Sequence, residues 1–580
     1  MKLRAILLAA AMIVPAAPAL AGGLAPTSDF SASDRTAWRD VFAELDASDW
    51  ALAASKIDSM ADSPVKFAAQ AELYLAKGSP KVEVDQIVAL LQKAPETAKA
   101  DQLARLAMSR GATMLPPLPV AQNMIFQGSQ PRRGRAKNVS GDSIADQLDT
   151  QFQTLLTANR PVDAEALYTP QETLLGAEAR TEFQQRLAWS YYTIGDDASS
   201  YRLALLASAG SGDWSIQGAW VAGLAAWRMQ NCAGASDAFS DVAARSSDYE
   251  LVAAANFWAA RADTRCSRPE RVQARLRNAA RYKETFYGLL AATALGIRSA
   301  NYAGLHDYHD EEWASVAHKA NVQTAITMAE IGERDLADLF IRRQAQIGGA
   351  ADHGALLHLA ADLNLASTQF WLAHNAPRGA NINIAARYPR PDWRPAKGWR
   401  VDQSLIFAHA LQESNFRTNV VSPAGAVGLL QVRPGTAGDI ARARGEVFDR
   451  QQLTDPLANM DFGQSYIESL RDNGATGGLL PKVIAAYNCG PVPVAEWNTR
   501  RFDKGDPLLY IESIPYWETR FYVPSVLRNY WIYEQEAGKS GGSREALVAG
   551  MWPRFPGMSG ARAVRIKPEA ANTALALGTN

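Results

Sequence analysis

Glu413 is the carboxyl best placed by the sequence to move a proton. It falls near the end of an apolar segment with Asp402 as a candidate N-cap. In that segment Leu405, Ala408 and Leu411 or Gln412 mark one helical face, and Ile406, Ala410 and Glu413 another. The chain then breaks into Asn415, Pro423, Gly425 and Gly428. A carboxyl at the C-terminal end of an apolar helix is expected to be held protonated by burial and by the negative end of the helix dipole. That is the state a general acid needs at neutral pH. A glutamate at a helix end is by itself most often a solvated surface group, so the residues around it decide its role.

Those residues form four stretches. The first runs Glu413-Ser-Asn-Phe, then Val421-Ser422-Pro-Ala-Gly425-Ala-Val-Gly428-Leu-Leu430-Gln431-Val-Arg-Pro434. Asn459-Met-Asp-Phe-Gly463-Gln-Ser-Tyr466 and Ala486-Tyr487-Asn488-Cys489-Gly490-Pro491 follow. Glu512-Ser-Ile-Pro515 with Thr519-Arg-Phe-Tyr522-Val-Pro524 is the last. In this order they resemble the catalytic core of the soluble lytic murein transglycosylases. Leu430 stands where many members carry Met, and Cys489 where many carry Ala; both are small changes of apolar volume.

The resemblance implies cleavage of the β-1,4 bond between N-acetylmuramic acid and N-acetylglucosamine in peptidoglycan. Glu413 would be the catalytic acid and then the base, and Tyr487 would stand beside the reacting sugar. Ser422, Gln431 and Glu512 would line the saccharide site. The chemistry agrees: protonating the bridging oxygen lets oxocarbenium character develop at C1. No Asp or Glu lies between Glu413 and Asp439 to serve as a second carboxylate on the adjoining loop. The substrate N-acetyl group would then assist, and a 1,6-anhydro ring would form without water. Plainer alternatives stay open: a core tyrosine at Tyr487, local hydrogen bonding at Ser422 and Gln431, and a helix cap at Glu512. Asn488 is read as structural, tying down the turn before Gly490. Rival functions are a hydrolytic goose-type muramidase, a chitin-cutting enzyme and a non-catalytic glycan-binding scaffold.

The elements that must position these residues are helical. Residues 22–385 are Ala- and Leu-rich with apolar residues at three-and-four spacing. Segments around Trp189, Trp220 to Arg228 and Ala253 to Ala262 recur at a helix-turn-helix repeat length. The expected fold is mainly α: a helical superhelix, a ring or horseshoe in the family it resembles, followed by a lysozyme-like catalytic domain over 386–537. Residues 116–146, rich in Pro and Gly with the run Arg132-Arg133-Gly-Arg135-Ala-Lys137, read as a flexible solvated linker. Prolines 389, 391 and 395 mark the boundary of the catalytic domain, and a chain beginning near Pro389 is expected to fold. Residues 538–580 read as a mobile tail.

Lys2, Arg4, the apolar run Ala5 to Val14 and the Ala19-Leu20-Ala21 site before Gly22 predict a cleavable signal peptide, 1–21, and a periplasmic product. No segment is apolar enough to span a membrane. With 59 Lys plus Arg against 60 Asp plus Glu, no net field draws nucleic acid. The partner implied by the resemblance is the peptidoglycan glycan strand, with any cell-wall synthesis or secretion partner unknown. Three cysteines with no CxxC spacing argue against a structural metal, and no cofactor is expected. Cys232 and Cys266 lie one repeat apart; they are either a pair or two small buried residues. Equivalent places in stacked repeats would have to bend toward each other before the two could bond.

Overall fold

A computed structural model describes residues 26–297, 310–500 and 503–566. The expected signal peptide therefore lies outside the described residues. Among the described residues the chain forms 27 α-helices, and strand is confined to two-residue pieces. Many helix starts are fixed by short polar side chains that accept a backbone N–H, among them Ser31, Asp196, Asn231 and Thr285. Each such cap is worth about 1 kcal/mol.

The chain divides into two compact units that do not follow the expected boundary at 385. One comprises Met1–Ile125, Gly304–Leu372 and Ala376–Ile382. Its N-terminal helices pack on partners from far along the chain. Ser28 donates to Glu330 over 3.1 Å, Asn321 to the Glu96 carbonyl over 3.0 Å, and Arg343 pairs with Asp101 at 3.2 Å. Local periodicity reveals that these segments are helical but carries no trace of such long-range pairing.

The other unit comprises Phe126–Ala303, Ala373–Asn375 and Asn383–Asn580, and it holds the candidate catalytic residues. Its helical hairpins begin with Ala177–Ile194, Asp213–Arg228, Tyr249–Arg265 and Phe286–Ala294, starts that are 36 or 37 residues apart. These lead helices are buried nearly all round, which small residues make possible. A Cβ on Gly223 would meet the Phe239 ring at 2.5 Å. Cys232 and Cys266 form a disulfide with Cα atoms 5.6 Å apart. They do not occupy equivalent places in two repeats. Cys232 opens the helix Cys232–Arg245 and Cys266 caps the end of the antiparallel helix Tyr249–Arg265, so both sit at the same end of one hairpin. Closing a loop of 34 residues stabilises by about 3–4 kcal/mol in the chain-entropy account.

Two segments expected to be loose are ordered. Within the 116–146 stretch, Arg133 is 4% exposed and pairs with Glu512 through two bonds of 2.9 and 3.1 Å. Its guanidinium lies 4.6 Å from the Trp220 ring. Asp248 accepts from the Gly134 N–H at 2.6 Å, and Glu182 from the Val139 N–H at 2.6 Å. The basic run is therefore a strap held by acids from several helices. Past Gly538, the expected tail contains the helix Gly542–Val548 and an antiparallel ladder pairing Trp552 with Val564. Leu547, Trp552 and Phe555 are buried, and Trp552 donates to the Gly505 carbonyl at 2.9 Å. Three apolar anchors hold this segment down, too few to produce a periodic pattern.

Candidate active site

The helix Gln403–Ser414 begins where Asp402 accepts the Ser404 N–H and ends at Asn415 in the left-handed conformation. Leu405 to Leu411 are all buried, so Glu413 stands on the last turn of a core helix. It is half-buried, reachable from outside. Burial raises its pKa to about 7; the Tyr522 hydroxyl works against this and the charge of Glu518 adds to it. At neutral pH the carboxyl is thus poised to give a proton and to take one back.

Two side chains form a hydrogen-bonded chain to that carboxyl. Tyr522 donates to Glu413 Oε1 at 2.5 Å, and His409 Nδ1 lies 2.8 Å from the Tyr522 oxygen. Burial drives the His409 pKa down to about 3, so the imidazole is neutral. Since the Tyr522 proton points at Glu413, Nδ1 carries hydrogen and donates to Tyr522. The His409 ring also packs on Tyr487 with centroids 4.5 Å apart.

The loop after Glu413 is fixed from below. Ser414 donates to the Leu429 carbonyl at 2.8 Å, and Tyr487 to the Leu430 carbonyl at 2.7 Å. Asn459, fully buried, accepts the Leu430 N–H at 2.8 Å and donates to the Val427 and Leu453 carbonyls at 2.9 and 2.8 Å. Gly428 has φ +77°, and a Cβ there would meet the Leu453 carbonyl oxygen at 2.0 Å, so only glycine fits. Ser422 accepts the Ala426 N–H at 3.0 Å, and the Gln431 amide donates to the Val420 and Gly428 carbonyls at 3.1 and 2.8 Å. Both keep the loop's shape and remain half-buried. Beside the loop, Ala424, Gly425, Arg433, Thr436 and Arg450 line an open depression of about 580 Å³.

Glu512 is elsewhere. It is 1% exposed, with Arg133 on both oxygens and the Tyr287 hydroxyl donating at 2.7 Å. A carboxylate so enclosed has no face left for a sugar, which corrects the expectation that it lines the saccharide site. Asn488 accepts from Thr519 at 2.6 Å, a structural tie to the next helix. Cys489 is half-buried and its thiol is pushed up to about 11 by burial, away from thiolate chemistry. Among the described residues no group of His, Cys, Asp or Glu is arranged to hold a metal ion.

Sequence reasoning singled out neither Tyr522, His409 nor Glu518. Tyr522 lies inside the last of the four motif stretches, but nothing in the sequence gives it a role. Glu518 is exposed, and among the described residues it is the carboxylate whose charge is felt at Glu413.

A helical domain with a single half-buried glutamate ending its core helix is of the lysozyme-like class. Residues 394–509 match the family model described as Transglycosylase SLT domain. The chain is 34% identical over 158 residues to the soluble lytic murein transglycosylase of Salmonella typhimurium, covering 27% of this chain and 24% of that protein. It is 36% identical over 136 residues to that of Escherichia coli strain K12, covering 23% and 21%. The aligned stretch thus spans less than a quarter of these relatives' length. Over the whole fold, the 70 kDa soluble lytic transglycosylase of Escherichia coli superimposes with a TM-score of 0.53 at 16% identity, covering 90% of this chain and 99% of that one. An inactive variant of the lytic transglycosylase Slt from Pseudomonas aeruginosa does so with a TM-score of 0.51 at 18% identity, covering 87% and 86%. These likenesses establish the fold: mainly α, with a helical superhelix and a lysozyme-like domain.

Proposed function

We propose that the protein is a lytic transglycosylase that cuts the β-1,4 bond between N-acetylmuramic acid and N-acetylglucosamine in peptidoglycan without water. The observation that carries this reading is one carboxyl, Glu413, with its pKa raised to about 7 by burial inside an SLT domain. Protonated Glu413 gives its proton to the bridging oxygen, and the C1–O bond breaks with the substrate N-acetyl group assisting at C1. The carboxylate then takes the proton from the C6 hydroxyl of the same sugar, whose oxygen bonds to C1 and closes the 1,6-anhydro ring. Tyr522, backed by His409, holds the carboxyl in one orientation and steadies its ionised form between the two transfers. Tyr487, pinned to Leu430, presents its ring and a hydroxyl oxygen to the sugar, with Ser422 and Gln431 shaping the groove loop. A periplasmic location is supported by the N-terminal segment and by the Cys232–Cys266 disulfide, which persists in oxidising compartments.

One observation favours a second reading. The charge of Glu518 reaches Glu413, and a hydrolytic muramidase would use such a carboxylate to activate water. Paired substitutions separate the two. Glu413→Gln is expected to lower turnover of purified peptidoglycan by two or more orders of magnitude while strand binding persists. Glu518→Gln should keep turnover within a few fold. Retained activity in Glu413→Gln refutes the assignment, and loss in Glu518→Gln equal to that in Glu413→Gln installs the hydrolytic reading.

A further inference from the structure

The helix Trp517–Glu536 presents Glu518 and Tyr522 on the side of Glu413. Trp517, Arg520 and Phe521, at i, i+3 and i+4, form a different face. That face lines a cavity of about 500 Å³ in the same unit, and Glu413 is not among its walls. Arg133, Arg135, Arg186, Arg500 and Arg520 line the cavity against one acid, the exposed Glu496.

Two of these five charges are answered by acids. Arg133 has Glu512, and Arg186 has Asp149 and Glu182. Arg520 is not. It is 7% exposed, and among the described residues it makes no ion pair and no side-chain hydrogen bond, with Nη1 shut away from water and unpartnered. The guanidinium is stacked 3.8 Å from the centroid of the Trp189 ring and 5.3 Å from that of Trp517. Burial lowers its pKa to about 9, so it stays charged at neutral pH. The charge of Glu512 reaches it, but both oxygens of that carboxylate are bonded to Arg133, so the buried Arg520 charge has no bonded counterion, at a cost of several kcal/mol. Such an arrangement is maintained where a ligand supplies the counterion, and an arginine fork receives a carboxylate through two parallel bonds. The flanking indoles offer flat apolar walls to whatever carries that group.

We propose that this cavity is a second site for the wall polymer, taking a peptide carboxylate on Arg520 with the peptide lying against Trp189 and Trp517 and the rim closed by Arg135 and Arg500. The proposal rests on the transglycosylase reading, which supplies a peptide-bearing glycan as the substrate. The site would grip the stem peptide on one face of the helix whose other face holds the catalytic carboxyl.

Binding to the full chain is read by quenching of tryptophan fluorescence and by calorimetry. The probes are a free stem tetrapeptide, its carboxyl-amidated counterpart, a peptide-bearing glycan fragment, a peptide-free glycan and inorganic phosphate. The tetrapeptide should bind and quench, and amidation should weaken it at least about tenfold, the loss of a charge-assisted pair. Arg520→Gln should weaken it likewise. The rim variant Arg135→Ala, which removes no buried group, should weaken the peptide and leave peptide-free glycan unchanged. Equal affinity of free and glycan-linked peptide identifies released peptide as a ligand; tighter binding of the linked form identifies the strand. Binding indifferent to amidation, equal weakening of peptide-free glycan by Arg135→Ala, or phosphate binding without peptide binding overturns the proposal. Product chemistry plays no part in these readouts, so failure of the catalytic reading appears separately, in the digestion of peptide-free glycan.

Discussion

At the scale of single residues, the proposed chemistry turns on how Glu413 is kept near pKa 7. Burial favours its neutral form, and the Tyr522 hydrogen bond favours the ionised form. The first proton transfer needs the neutral form, so kcat/KM should fall as pH rises through about 7. Tyr522→Phe removes the bond that stabilises the carboxylate, so the pKa rises further and the falling limb moves to higher pH. At the optimum kcat should drop about tenfold, the worth of a hydrogen bond to a charged group. A pH–rate profile of the variant checks both; an unmoved limb means Tyr522 does not govern the carboxyl. Glu413 was legible from its place at the end of an apolar helix, and its burial agrees. His409 and Tyr522 were not: 113 residues separate the two, and only the folded core joins them. Glu512 was misread because a resemblance assigns a residue to a motif and says nothing of the arginine that encloses it.

At the scale of elements, the loop that follows the candidate catalytic helix is tied to the helix Pro456–Arg471 by the side chain of Asn459. Asn459 makes three hydrogen bonds, each to a backbone group of the loops around Gly428. Asn459→Ala leaves these groups unpaired in the core, at about 1–3 kcal/mol each before relaxation. Unfolding by urea should report a loss of about 2–4 kcal/mol, with kcat falling as the loop loosens. A loss under about 0.5 kcal/mol would mean that the loop holds itself. The helices themselves were readable from cap residues and apolar spacing, as Asp402 and the Leu405 to Leu411 run illustrate. The strap around Arg133 was not, since Pro and Gly signal irregular backbone equally in a loose linker and in one pinned by acids.

At the scale of the whole molecule, the candidate catalytic residues belong to a unit that begins at Phe126, far before the prolines that mark a boundary in the sequence. Arg133 and Tyr287 enclose Glu512, Phe286 stacks on Trp531 at 5.0 Å, Tyr192 shares a 2.8 Å hydrogen bond with Ser513, and Arg261 pairs with Asp506 at 2.6 Å. A chain beginning at Pro389 would strip the partners from all four, so it should be poorly soluble or unfolded, contrary to the expectation from the prolines alone. Arg133→Gln isolates one part of this and should cost about 3–5 kcal/mol by stranding Glu512. Denaturant unfolding that matches the unaltered protein would show the pair to be dispensable. Whether one glutamate serves as acid and then base on the same sugar is decided by mass analysis of a digest of purified peptidoglycan. Muropeptides ending in 1,6-anhydromuramic acid, lighter by one water than hydrolysis products, are expected; a digest yielding only reducing muramic acid ends would refute the single-glutamate mechanism.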